Sequence, residues 1–167
     1  GGAVVMAAES ALKIGSGLVS AATRPQHIAA ILARQPEIMA SGIISGQELQ
    51  PLLDKPTVLI VGPGLGRSPW SEQLLQKAVA TGLQMVMDAD ALNIIAEGRV
   101  VPKPDGSNWV MTPHPAEAAR LLNISVAEVQ ADRFSAVRAL QKKFNAVVLL
   151  KGAGTLIASA DSDQVMV

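Results

Sequence analysis

Short apolar runs rich in β-branched residues alternate in this chain with segments that repeat at the helical interval, and this alternation restricts the available folds more than any other feature. Thr57-Val58-Leu59-Ile60-Val61 and Ala146-Val147-Val148-Leu149-Leu150 carry no charge and read as buried strands. Between them, Ser71 to Thr81 places Leu74, Leu75, Ala78 and Val79 on one helical face. Gln84 to Met87 and Asn108 to Met111 read as strands, and Ala91 to Ala96, Ala116 to Leu122, Val126 to Gln130 and Asp132 to Phe144 as helices. Upstream, a helix from Val4 to Leu12 is broken by Gly15-Ser16-Gly17. A strand from Leu18 to Thr23, a short helix from His27 to Arg34 and a weak strand from Glu37 to Ala40 follow, while Ser41 to Pro56 is poorly periodic. Leu156 to Ala158 and Val165 to Val167 are expected to pair antiparallel. Strands separated by helices of this length form βαβ units, which predicts an α/β fold with a mostly parallel sheet and helices on both faces.

Composition narrows the function classes. A chain of 167 residues, 49% of them hydrophobic, can bury roughly two-thirds of its unfolded surface and needs no disulfide or metal to fold. Without Cys there is no thiolate nucleophile and no Cys-based zinc site. Lys+Arg 14 balances Asp+Glu 14, no basic run occurs and aromatics reach only 2%, which argues against a nucleic-acid surface. No apolar run approaches the roughly 18 to 20 residues of a membrane span. The expectation is one cytoplasmic domain over residues 1–167. Gly1-Gly2-Ala3 lacks an initiator Met and a basic n-region, and Gln164 to Val167 stops like a strand, so the chain reads as a segment of a longer protein.

Four polar loops follow strands, and ligands of open α/β sheets bind outside the carboxyl ends of the strands, so these loops are expected to converge on one rim. Gly62-Pro63-Gly64-Leu65-Gly66 can bring backbone amides close to a ligand or simply turn tightly. Asp88 and Asp90 either cap the following helix or help to hold Mg²⁺ through water, and Asn93 either bonds a ligand or caps a turn. In Thr112-Pro113-His114-Pro115-Ala116-Glu117 two prolines stiffen a loop that presents His114 and Glu117. The pair reads as an N-cap with a first-turn acid or as ligand contacts, with ligand contact favoured for His114. Lys151-Gly152-Ala153-Gly154-Thr155 combines a cation, two glycines and a hydroxyl, a set suited to phosphate.

In this order the four loops resemble those of the ADP/ATP-dependent NAD(P)H-hydrate dehydratases, a carbohydrate-kinase-like domain also found in the C-terminal half of bifunctional repair proteins that carry an epimerase domain. Gly2-Ala3, Gly15-Ser16-Gly17-Leu18-Val19 and Ala22-Thr23 fit as well, and the likeness covers essentially the whole chain. The resemblance implies a ribokinase-like three-layer αβα sandwich with a mostly parallel sheet, incomplete at both termini. It implies that Lys151, Gly152, Ala153, Gly154 and Thr155 contact ADP or ATP, and that Gly64, Gly66, His114, Asp88 and Asn93 lie on the side of hydrated NADH or NADPH. Glu117 would organise Mg²⁺. A homo-oligomer and fusion to an epimerase domain belong to the same expectation.

Three departures accompany the likeness. Ala116 stands where the family usually has Gly, a first strand with its Gly-rich loop is absent before Gly1, and the Gly-x-Gly-Asp segment with the catalytic Asp is expected beyond Val167. A small-molecule kinase of the same fold and a non-catalytic nucleotide-binding module are the alternatives.

Overall fold

The structure, a computed structural model, describes every residue except Lys103 and Asp163. Helix α1 (Gly2–Lys13) leads into strand β1 (Ser20–Thr23), a 3-10 turn (Pro25–His27), α2 (Ile28–Arg34), β2 (Met39–Gly42) and α3 (Gly46–Leu53). Then come β3 (Val58–Val61), α4 (Pro69–Ala80), β4 (Gln84–Met87), α5 (Ala89–Glu97), β5 (Trp109–Met111) and α6 (Pro115–Leu122). The chain continues through α7 (Val126–Ala131), α8 (Arg133–Phe144), β6 (Val147–Leu150) and β7 (Leu156–Ala158).

Local chemistry sets most of these boundaries. Ser68, His114 and Ser125 each close a capping box at the start of α4, α6 and α7, and Asp132 accepts from Ser135 N at the start of α8. Asn123 and Asn145, at φ 57° and 52°, end α6 and α8 in the left-handed conformation that Asn tolerates. Helix α3 lies in the stretch whose periodicity is poor, and it contains Pro51. Packing overrides the proline here: Leu49 and Leu53 bury with Leu74 and Ile43, and the Glu48 carboxylate accepts from Ile44 N at 2.7 Å.

Strands β1 and β2 form a parallel pair, and the other five stand in the order β3-β4-β5-β6-β7, parallel up to β6 with β7 antiparallel. The mostly parallel α/β arrangement is the one read from the alternation. The segment at Val165 to Val167 contributes a single antiparallel bridge, Met166 to Ile157, rather than a strand.

Register decides what each strand buries. Leu59, Met85 and Trp109 are aligned across neighbouring strands, as are Val61, Met87, Met111 and Val148, and these side chains join Leu75, Leu92, Ile94, Leu121 and Leu140 from the helices in one large core. The alternate positions face the other way. Val58 and Ile60 are 49% and 46% exposed, and Val86, Val110, Val147, Leu149 and Ile157 are only half-buried. This corrects the reading of β3 as a strand buried on both faces: it is an edge strand, and an uncharged apolar run records a capacity for burial rather than a cover.

The two faces should respond differently to truncation. Met87→Ala, at a fully buried position, should cost about 2–5 kcal/mol in urea unfolding, whereas Ile60→Thr should cost less than about 1 kcal/mol. Equal losses would contradict the assignment of faces.

Candidate functional site

Because β3 to β6 run parallel, their carboxyl ends lie on one rim, and the four polar loops leave the sheet there. Asp88 joins three of them. Its Oδ1 accepts from Lys151 Nζ at 2.7 Å and from Thr112 Oγ1 at 2.9 Å, while its backbone N donates to Val61 O at 3.1 Å. Lys151 N donates to Pro113 O at 2.9 Å and closes the circuit between the third and fourth loops.

The first loop meets the second backbone to backbone. Gly62 sits at φ 123°, and a Cβ there would stand 1.7 Å from the Asp88 carbonyl oxygen, so no other residue fits. On the opposite side of that contact Ala89 is held at φ 48°, a left-handed conformation that costs an L-residue roughly 1–2 kcal/mol. Asp90 Oδ2 accepts from Gly66 N at 2.7 Å and ties the far end of the glycine loop to α5. Gly64 approaches the start of α1, where a Cβ would lie 3.1 Å from Ala3 Cβ.

Asp88 makes no side-chain cap bond to α5, and each of the two acids is bound by a neighbouring loop. Burial pushes the Asp88 carboxyl upward, but the Lys151 ammonium and the Thr112 hydroxyl outweigh it and hold the group below the ordinary aspartate value. Asn93 is also committed: its Nδ2 donates to Ala89 O at 3.1 Å and its Oδ1 accepts from Arg120 at 2.9 Å, which stitches α5 to α6.

His114 occupies the N-cap of α6. Its Nδ1 accepts from Ala116 N at 3.1 Å and Glu117 N at 3.4 Å, an assignment that puts the ring proton on Nε2. Glu117 Oε2 accepts from His114 N at 2.9 Å, and its Oε1 lies 3.4 Å from His114 Nε2. The imidazole remains 47% exposed on the rim, whereas Glu117 is 4% exposed. No group of three or more His, Asp or Glu among the described residues could hold a metal ion, so an Mg²⁺ ion here would draw most of its ligands from water and phosphate.

Sequence reasoning missed Arg133. It is the first residue of α8, and its guanidinium donates to Ala153 O at 2.9 Å and Leu150 O at 3.2 Å, with Lys151 O at 3.5 Å. The available signal was topological: a helix that returns antiparallel to the strands starts on the rim where the parallel strands end.

An open, mostly parallel α/β sheet whose strand-end loops gather glycine amides, an ammonium and a carboxylate defines the chain as a domain of the ribokinase-like kind. Its backbone superposes on a ribokinase-like superfamily protein of Enterococcus faecalis with a TM-score of 0.82 and 25% identity, covering 96% of this chain and 56% of that one. The family described as NAD(P)H-hydrate dehydratase matches residues 1–167, and the chain belongs to that family. It is 49% identical over 157 residues to the bifunctional NAD(P)H-hydrate repair enzyme of Coxiella burnetii, covering 94% of this chain and 31% of that protein. It is 41% identical over 168 residues to the ADP-dependent (S)-NAD(P)H-hydrate dehydratase of Neisseria meningitidis, covering 97% of this chain and 55% of that one. The chain therefore spans about a third to a half of the length of these relatives.

Two outcomes follow from the Asp88 circuit. Because the folded value of Asp88 is depressed, its stabilisation is complete above the unfolded aspartate pKa of about 3.9 and is lost as pH falls through the lower folded value. Asp88→Asn should therefore lower stability by about 1–2 kcal/mol at neutral pH, with the gap to the parent closing in acid when unfolding midpoints are measured against pH. Ala89→Gly should raise stability by up to about 1 kcal/mol in the same assay, since Gly adopts positive φ freely.

Proposed function

We propose that residues 1–167 are the central part of one ribokinase-like catalytic domain that uses ADP or ATP to dehydrate hydrated NADH or NADPH back to the reduced cofactor. The observation that carries the reading is the gathering of four ordered loops of this family on one rim, three of them joined through Asp88 and the glycine loop tied in through Asp90. The Neisseria relative is named for the same reaction, and the Coxiella relative for a bifunctional repair enzyme, which supports a parent that also carries an epimerase domain. No helix among the described residues is long and apolar enough to cross a membrane; a cytoplasmic homo-oligomer acting on small molecules belongs to the same proposal.

The chemistry follows from the substrate. The hydroxyl of the hydrated ring is a poor leaving group. Its oxygen takes a phosphoryl group from the nucleotide and releases its proton; the ring-nitrogen lone pair then expels phosphate as the C–O bond breaks, and the double bond of the reduced nicotinamide is restored on loss of the neighbouring C–H proton. Transfer of this kind depends on positioning and on fixed dipoles and charges.

In this proposal Lys151, Gly152, Ala153, Gly154 and Thr155 receive the nucleotide. The Lys151 ammonium has three donors and gives one to Asp88, which leaves two for phosphate oxygens. Gly64, Gly66 and the exposed His114 ring face the hydrated nicotinamide nucleotide. Asp88 and Asn93 contribute by holding the loops, and Glu117 by holding His114 rather than by binding metal. Asp88, Asp90 and Glu117 are each bound to neighbours, so none of them is assigned as the proton acceptor.

Two variants of the full-length protein test the roles. Lys151→Ala should weaken ADP binding by about 1–3 kcal/mol in calorimetric titration. His114→Ala should raise KM for hydrated NADH at unchanged ADP affinity, because binding common to ground and transition states is lost. Recovery of reduced-nicotinamide absorbance with stoichiometric phosphate release is the expected reaction, and accumulation of a phosphorylated product would instead identify a kinase.

A further inference from the structure

We propose that Arg133 is a positioning residue for the Lys151–Thr155 loop, holding its glycine amides outward and standing behind it as a positive charge paired with no carboxylate among the described residues. The proposal rests on the reading of this loop as the nucleotide site.

Arg133 lies 18 residues before Lys151, in a different element, yet its guanidinium spans the carbonyls of Leu150, Lys151 and Ala153. In a trans peptide the C=O of one residue and the N–H of the next point in opposite directions. Turning those three carbonyls toward Arg133 therefore turns the N–H groups of Lys151, Gly152 and Gly154 away from it. The Lys151 amide is used by Pro113, while those of Gly152 and Gly154 find no protein acceptor among the described residues. Two outward amides on one short loop form a concavity suited to an anion. The conformation that exposes them is the one the guanidinium selects, since no single ammonium could reach three carbonyls in a fixed fork.

Charge leads to the same residue. Lys151 is paired with Asp88, so much of its field at the loop is already balanced. Arg133 makes no ion pair among the described residues and meets only carbonyl dipoles. The positive potential behind the loop amides thus comes from α8 as much as from the loop's own lysine.

Gly152 carries a third observation. A Cβ there would lie 2.6 Å from Arg133 Nη2, so any side chain at this position must displace the guanidinium. At Gly152 the missing side chain leaves room for Arg133 rather than serving a turn, because Gly152, unlike Gly154, is not among the positive-φ glycines.

The test uses the full-length protein, with amide hydrogen exchange in the absence of nucleotide and calorimetric titration with ADP. Arg133→Ala should accelerate exchange of the Lys151 amide, which donates to Pro113 O, at least about tenfold, leave exchange in β4 and α6 unchanged and weaken ADP binding about ten- to a hundredfold. Arg133→Lys should restore only part of the affinity. Gly152→Ala should reproduce the Arg133→Ala loss and add almost nothing to it in the double variant, since both remove the same contact. Unchanged loop exchange in Arg133→Ala would overturn the proposal, as would additive losses in the double variant. If the loop loosens and ADP affinity holds while Lys151→Ala still weakens it, Arg133 is refuted and the nucleotide loop stands. If the parent protein does not bind ADP, the nucleotide reading fails, and the exchange data still decide what Arg133 does.

Discussion

A single carboxylate, that of Asp88, carries the connection between the strand-end loops. Its Oδ1 is shared by the Lys151 ammonium and the Thr112 hydroxyl, and its backbone meets β3 on one side and Gly62 on the other. The Asp88–Lys151 pair is 28% and 42% exposed, so its worth is a moderate gain partly offset by desolvation. The geometric effect is larger than the energetic one. Three loops from three strands can take only the arrangement in which their polar atoms reach the same oxygen. The backbone around Asp88 is accordingly crowded, with Gly62 allowed no side chain and Ala89 driven to positive φ.

Around that point the loops are held by bonds that sequence patterns describe as helix caps. His114 and Glu117 close α6 and fix one face of the imidazole, leaving the ring half exposed on the rim. Asp90 is pulled toward the glycine loop and Asn93 toward Arg120. Four polar residues that each suit a ligand thus make bonds to one another, to Arg120 and to the backbone. What they leave outward is a set of loop N–H groups, the ammonium of Lys151 and the edge of His114. A surface of donors with its carboxylates turned inward favours an anionic ligand, which agrees with a family that acts on nucleotides.

Much of this was legible in the residues alone. The strands and most helices follow from periodicity and capping, and parallel topology follows from their spacing, so the gathering of Gly62–Gly66, Asp88–Asn93, Thr112–Glu117 and Lys151–Thr155 on one rim could be deduced before any coordinate. Helix α3 escaped because Pro51 and weak periodicity mask a segment that packing against α4 makes helical. The burial of β3 was overread, because apolar content along a strand does not reveal what lies over each face.

The sequence by itself determined the order of elements apart from α3, most helix ends and which loops meet, because these depend on local propensity and on the period of apolar residues. Only the tertiary structure decided which polar atom satisfies which. That Asp88 takes Lys151, 63 positions away, that Glu117 closes on His114 and that Arg133 gathers the carbonyls of the last loop are choices among competing partners. Hydrogen bonds are short-ranged and directional, so the outcome is set by ångström-scale placement of backbone that no one-dimensional pattern encodes.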